Sequence, residues 1–141
     1  MTNQKGFSLI ELLIVVAIIG IIAAIAVPNL LQSKAAANEA SSISSLRNIV
    51  TSQITYSATT GAGGYAASLT VLSAQKLIDS VLGGGVKAGY TFAVTGTSTT
   101  FISTARPTTP GSTGNRYFFA DESGVLRYST TAAATVASTP L

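Results

Sequence analysis

The sequence predicts an α+β chain in which one long amino-terminal α-helix packs on a small antiparallel β-sheet. Three observations predict it. Phe7 to Val27 is an apolar run whose one charge is Glu11. Apolar residues at helical spacing continue beyond it: Ile43, Leu46, Val50, Ile54 and Ser57 share one face, with Ile49 and Gln53 beside them. Four short β-branched or aromatic runs then follow, separated by turn residues.

The apolar run is long enough to cross a membrane. At helical rise it spans roughly 32 Å, against about 30 Å for a bilayer core. Six residues, Met1 to Gly6, stand before it. A secretory signal places its small-residue cleavage site after the apolar core. Here a lysine and a glycine come first and no such site follows. The expected cut therefore lies before the run, which stays in the mature chain. Ala17, Gly20, Ala23, Ala24 and Ala26 are small, and Gly20-xxx-Ala24 permits close approach of helices. A plain lipid-facing anchor accounts for the same residues. Gly20 and Pro28 weaken the helix, because proline lacks an N–H and crowds the preceding turn. Glu11 is costly in hydrocarbon unless it is paired or reaches the head groups. The residues alone leave both readings of Glu11 open. Lys5 favours a cytoplasmic amino terminus, but Lys34 and Arg47 on the other side leave the charge count undecided.

The string Lys5-Gly6-Phe7-Ser8-Leu9-Ile10-Glu11-Leu12-Leu13 resembles the amino termini of type IV pilins and their pseudopilin relatives. The resemblance is close over residues 1 to about 58 and looser beyond. It implies the pilin fold and cleavage by a prepilin peptidase between Gly6 and Phe7, with methylation of the new Phe7 amine. It also implies a homopolymer built through the amino-terminal helices. Glu11 of one subunit would then neutralise the Phe7 amine of its neighbour and fix axial register. In that family the stretch from Gly20 to Pro28 can lose helicity in the fibre. The implied partners are the peptidase/methylase, an inner-membrane assembly platform with its ATPase, and the lipid bilayer before assembly. The implied location is the bacterial inner membrane as a single-pass precursor, then an extracellular pilus for adhesion, motility or DNA uptake. Two other readings stay open: a pseudopilin of a type II secretion system, and a monomeric single-pass protein with a periplasmic binding domain. The expected layout is a leader at 1–6, a membrane or filament-core half-helix at 7–28 and an amphipathic half at 29–58. A loop with a short helix follows at 59–88, then a sheet at 89–128 and a tail at 129–141.

Composition excludes much chemistry. The 141 residues contain no cysteine and no histidine, and only 9% are charged. That removes Ser-His and Cys-His nucleophilic sets, thiolate or imidazole zinc sites and any disulfide. Many pilins close a carboxy-terminal loop with a disulfide, which this chain cannot form. No cofactor and no enzymatic activity are expected. The net charge of +3 is too small to argue for nucleic acid as a specific partner. Asp121 and Glu122 adjoin on a turn and are the only weak metal candidates, since a hard cation wants six or more oxygens. A solvated hairpin turn explains them as well.

The remaining elements follow from local signals. Pro28 marks an expected kink, and Lys34, Asn38, Ser45 and Asn48 are placed away from the buried stripe. Gly61 to Tyr65 is a loop, and Ser68 caps a single short helix from Leu69 to Leu82 that ends at Gly83-Gly84-Gly85. Neither glycine cluster precedes Lys-Ser/Thr, so neither is a phosphate loop. The predicted strands are Tyr90–Val94, Thr99–Ser103, Arg116–Ala120 and Val125–Tyr128, forming a meander. Alternation puts Tyr90, Phe92 and Val94 on one face, and Tyr117 and Phe119 opposite Phe118. The aromatic residues of this part are expected in the core. The tail from Ser129 is expected to pack loosely or wrap the sheet edge.

Overall fold

The computed structural model describes residues 6–141; the expectations that rest on Met1 to Lys5 lie outside the described residues. The chain forms two compact units, residues 1–33 and 34–141. Helix α1, Leu9–Ala58, is a single 50-residue element that stays helical through Gly20 and Pro28. Within the first unit its side chains are exposed, among them Ile14, Ile18, Ile21 and Ile25. A stretch of α1 near the amino terminus has the length and hydropathy of a membrane span.

The second unit is a six-stranded antiparallel sheet in sequence order, covered on one face by the carboxy-terminal half of α1. The strands are β1 Val86–Lys87, β2 Tyr90–Gly96, β3 Phe101–Pro107, β4 Tyr117–Asp121, β5 Arg127–Ser129 and β6 Thr139–Pro140. Register follows the period of two. Phe92 lies opposite Ala105, which lies opposite Phe118, which lies opposite Tyr128. That row, with Tyr90, Val94 and Phe101, meets Leu46, Ile49 and Val50 of α1 in one core. Tyr90 and Phe118 pack with ring centroids 5.8 Å apart, and Tyr65 and Phe101 at 4.9 Å. The alternation of β2 and the core placement of most of its aromatic residues agree with expectation.

Several expectations need correction. The helix stripe is rotated: Ile54 is exposed and Ser57 half-exposed, while Ser45 and Ser52 are buried and Asn38 is half-buried; Ile49 and Gln53, placed beside the stripe, are buried. Asn38, Glu39, Ser52 and Gln53 on that face find backbone partners, so it need not be apolar. The predicted helix Leu69–Leu82 is two: α2 Leu69–Ala74 and α3 Ser80–Gly83. Ser68 caps the first as expected, accepting from the Val71 N–H. Lys76 then turns left-handed at φ 57°, and Asp79 starts the second by accepting from the Leu82 N–H. The carbonyl of Leu77 accepts instead from the Ser52 hydroxyl at 2.9 Å.

The strand boundaries also move. β3 runs on to Pro107, which the sequence places in a loop; its pairing with β2 continues to Tyr90, and proline sits at the strand end, where a missing N–H costs least. β4 is buried on both faces, because the tail covers its second one. Phe119 is 6% and Ala134 5% exposed. The tail also contributes β6, which pairs with β5.

Candidate functional site

The amino-terminal site is built by the start of α1. Gly6, Phe7 and Ser8 precede the first helical residue, and Phe7 is 88% exposed. Glu11 folds back so that its Oε2 accepts the Ser8 backbone N–H at 2.8 Å. Ser8-Leu9-Ile10-Glu11 thus supplies the glutamate arm of a capping box, which satisfies one of the four orphan donors at a helix start. The carboxylate also lies where the helix dipole favours negative charge. Sequence reasoning treated Glu11 as a charge in search of a partner and missed this one. The signal was legible, since Ser-x-x-Glu before an apolar run is a capping pattern. Gly6 and Phe7 are brought next to this cap, with the Gly6–Phe7 bond outside the helix. At the other end of the apolar segment, Pro28 cannot bond the carbonyl one turn back. Asn29 Nδ2 donates to the Ile25 carbonyl at 3.1 Å, and Ser33 Oγ to the Asn29 carbonyl at 2.9 Å.

A second constellation was not legible at all. Glu39, 7% exposed, lies on α1 against the loop before β4. Its Oε1 accepts the N–H groups of Asn115 and Arg116 at 2.8 and 3.2 Å, and its Oε2 accepts Arg116 Nε at 2.6 Å. The Arg116 guanidinium stands 5.6 Å from the Phe118 ring centre and 5.4 Å from that of Tyr128. Next to Glu39, Asn38 Nδ2 donates to the Thr113 carbonyl at 2.9 Å, and Tyr90 Oη donates to the Arg116 carbonyl at 2.9 Å. Burial pushes the Glu39 carboxyl up, but the two backbone donors and Arg116 outweigh it and hold the group below its ordinary range. Burial, with Glu39 nearby, pushes the Tyr90 hydroxyl far up, so it stays a donor. Gly114 fits here because a Cβ would strike the Tyr90 ring. The cluster fastens the β3–β4 loop to α1. It offers no open coordination or nucleophile and has no catalytic arrangement.

Further along, Gln53 is fully buried and forms a two-way amide clamp on Ala66. Nε2 donates to its carbonyl at 2.9 Å and Oε1 accepts its N–H at 2.8 Å. The metal candidates are engaged locally. Asp121 Oδ1 accepts the Ser123 N–H and hydroxyl, and Glu122 Oε2 accepts the Phe101 N–H at 3.4 Å. Among the described residues no three His, Cys, Asp or Glu side chains come together.

Comparison with known proteins follows the amino-terminal site. Residues 1–27 match the model of the prokaryotic N-terminal methylation motif. The type IV wide pilus major component PilA4 of Thermus thermophilus is 62% identical over 39 residues, which are 28% of this chain and 30% of that one. The type IV major pilin protein PilA of Myxococcus xanthus is 47% identical over 51 residues, 36% of this chain and 23% of that one. A fimbrial protein of Pseudomonas aeruginosa is 79% identical over 28 residues, 20% of this chain and 18% of its own. The matched stretch is thus less than a third of the length of these relatives. No solved structure matches.

Proposed function

Taking as premise that the chain carries the amino-terminal segment of the type IV pilin family, we propose that it is a structural subunit of a type IV pilus that polymerises through α1. The observation that carries this is the exposed apolar surface of α1 from Leu9 to Leu31, interrupted by one carboxylate. Such a surface needs either lipid or other apolar helices around it. Lipid and filament core are similarly apolar, so transfer between them is nearly neutral and an assembly ATPase at the inner membrane can drive it. The relatives named above are pilus and fimbrial proteins, which favours a surface fibre over a secretion piston.

In this reading a peptidase/methylase cuts between Gly6 and Phe7 and methylates the Phe7 amine. The cut leaves a cation four residues before Glu11. Glu11 then exchanges its Ser8 cap for, or shares it with, the amine of a neighbouring subunit. Any other axial offset leaves a charge unpaired in an apolar core. Gly20 and Pro28 let the segment between them unwind where the fibre requires it.

Two variants separate the cap from the charge. Glu11→Gln keeps a capping side chain and loses the charge, whereas Glu11→Ala loses both. Both are expected to insert in the membrane and to give little or no filament in sheared surface material viewed by electron microscopy. Normal filament yield from Glu11→Gln would show that the charge does not set register. Mass spectrometry of wild-type fibres is expected to find Phe7 first and methylated; a retained Met1 to Gly6 would overturn the processing step.

A further inference from the structure

The outer face of the sheet, away from α1, is only half covered. The tail lies over β4 and β5, so that Phe119 and Ala134 are buried. Over β2 and β3 the outer residues stay open: Ala93, Ile102 and Arg106 are exposed, Thr91 and Thr104 half-exposed. The result is a groove walled by the tail at Ala133–Ala134 and continuing past Arg106 to Pro107 and Pro110. It has two lobes of about 470 Å³ each, which share Thr91, Arg106 and Tyr117. Each lobe falls within the usual range of small-ligand sites, roughly 300–1,000 Å³. We infer that this groove is a binding site for an acidic saccharide, with Arg106 receiving the carboxylate of a hexuronate.

Charge and surface chemistry select that occupant. Arg106 has no carboxylate within ion-pair distance among the described residues; the two pairs there are Lys87–Asp79 and Arg116–Glu39. Its planar fork matches a carboxylate with two parallel hydrogen bonds. The cross-strand register sets Thr91 opposite Arg106 on β2 and β3, and Tyr117 lines the groove beside them. Threonine and tyrosine hydroxyls suit a ring that carries a hydroxyl on most of its carbons. Most of the open lining is apolar, with Ala93 and Thr104 beneath and Thr91, Arg106 and Tyr117 supplying the polar groups. A peptide that adds a strand needs a free sheet edge, whereas the groove lies over the face of β2, β3 and β4. The site does not depend on the filament reading.

The test is titration of the full-length, isotope-labelled chain in dodecylphosphocholine micelles with trigalacturonate. Its methyl ester keeps the rings and removes the charge. Trigalacturonate is expected to shift the amide resonances of Thr91, Thr104, Arg106 and Tyr117. The ester is expected to bind about tenfold more weakly or worse, the loss of one charge-assisted contact. Arg106→Gln, an exposed change that leaves the core intact, is expected to weaken trigalacturonate by the same factor. Arg106→Lys should fall between, and Lys76→Gln should change nothing. Equal binding of acid and ester, unaltered affinity in Arg106→Gln, or an equal loss in Lys76→Gln would each overturn the assignment. So would unshifted groove resonances at ~10 mM sugar, a concentration at which even millimolar binding shows.

Discussion

The two halves of α1 are continuous in backbone and opposite in what surrounds their side chains. In the first half, residues 9–33, isoleucine, leucine and valine are exposed. In the second half, glutamate, glutamine and three serines are buried together with Leu46, Ile49 and Val50. Hydrophobicity alone would place these residues the other way round. The difference shows that the glutamate and amide side chains of α1 are buried where partners meet them. The second half meets backbone donors and acceptors that satisfy Asn38, Glu39, Ser52 and Gln53. Within its own unit the first half meets no side-chain core, so its apolar surface remains for an external partner.

The sharpest way to break this contrast is a matched pair of truncations. Leu46→Ala should cost about 3–4 kcal/mol, because Leu46 is fully buried in the core. Ile21→Ala should leave the melting of the sheet unit within about 0.5 kcal/mol, since Ile21 is 65% exposed. Chemical denaturation followed by near-ultraviolet signals of the tyrosines measures both. Equal losses would mean that the first half shares in the fold of the sheet unit.

Gln53→Ala is next, at about 2–3 kcal/mol. It leaves the N–H and C=O of buried Ala66 without partners, which costs more than the hydrogen bonds themselves contribute. Loss of amide protection at Ala66 in hydrogen exchange should accompany it. An undisturbed Ala66 would mean that water replaces the clamp freely.

Glu39→Gln should cost about 2 kcal/mol near neutral pH, by leaving Arg116 partly buried without its anion. The pH dependence carries a sign. The carboxyl of Glu39 is depressed in the folded chain, so its contribution is present above the ordinary glutamate value near 4.5. It is lost as pH falls through the lower, folded value. The wild-type melting temperature should therefore drop over that acidic window more than that of Glu39→Gln. Parallel pH profiles would assign the ion pair no share of stability.

The smallest expected effect has the opposite direction. Ser42 and Ser103 are fully buried, and their hydroxyls have no hydrogen-bond partner. Ser103→Ala should stabilise the chain by about 1 kcal/mol, since it removes an unmet desolvation cost and almost no volume. A destabilised variant would point to a partner for that hydroxyl, such as a buried water.

Some features could be read from local pattern alone. The apolar run, the lone Glu11, the Gly6–Phe7 junction, the Ser68 cap and the alternation of Tyr90, Phe92 and Val94 each depend on residues close together in the chain. The shift of the buried stripe on α1 could not be read in that way. It is set by Thr113, Asn115 and Arg116, which lie 75 to 77 residues from Asn38 and Glu39, and by Leu77, 25 residues from Ser52. The division of the predicted Leu69–Leu82 helix has the same origin, because the Leu77 carbonyl is held by a side chain from another element.

The sequence by itself determined that this protein carries a membrane-length apolar helix bearing one carboxylate, followed by a short polar-rich helix extension and a strand meander. Those properties reside in composition and period, and the chain carries them wherever it folds. Tertiary structure alone decided which polar groups go inside, that the tail covers half of the outer sheet face, and that Arg106 stands open in the groove beside it. A buried glutamate or glutamine is tolerated only where distant backbone groups arrive with matching geometry, and that arrival is a property of the fold rather than of any stretch of sequence.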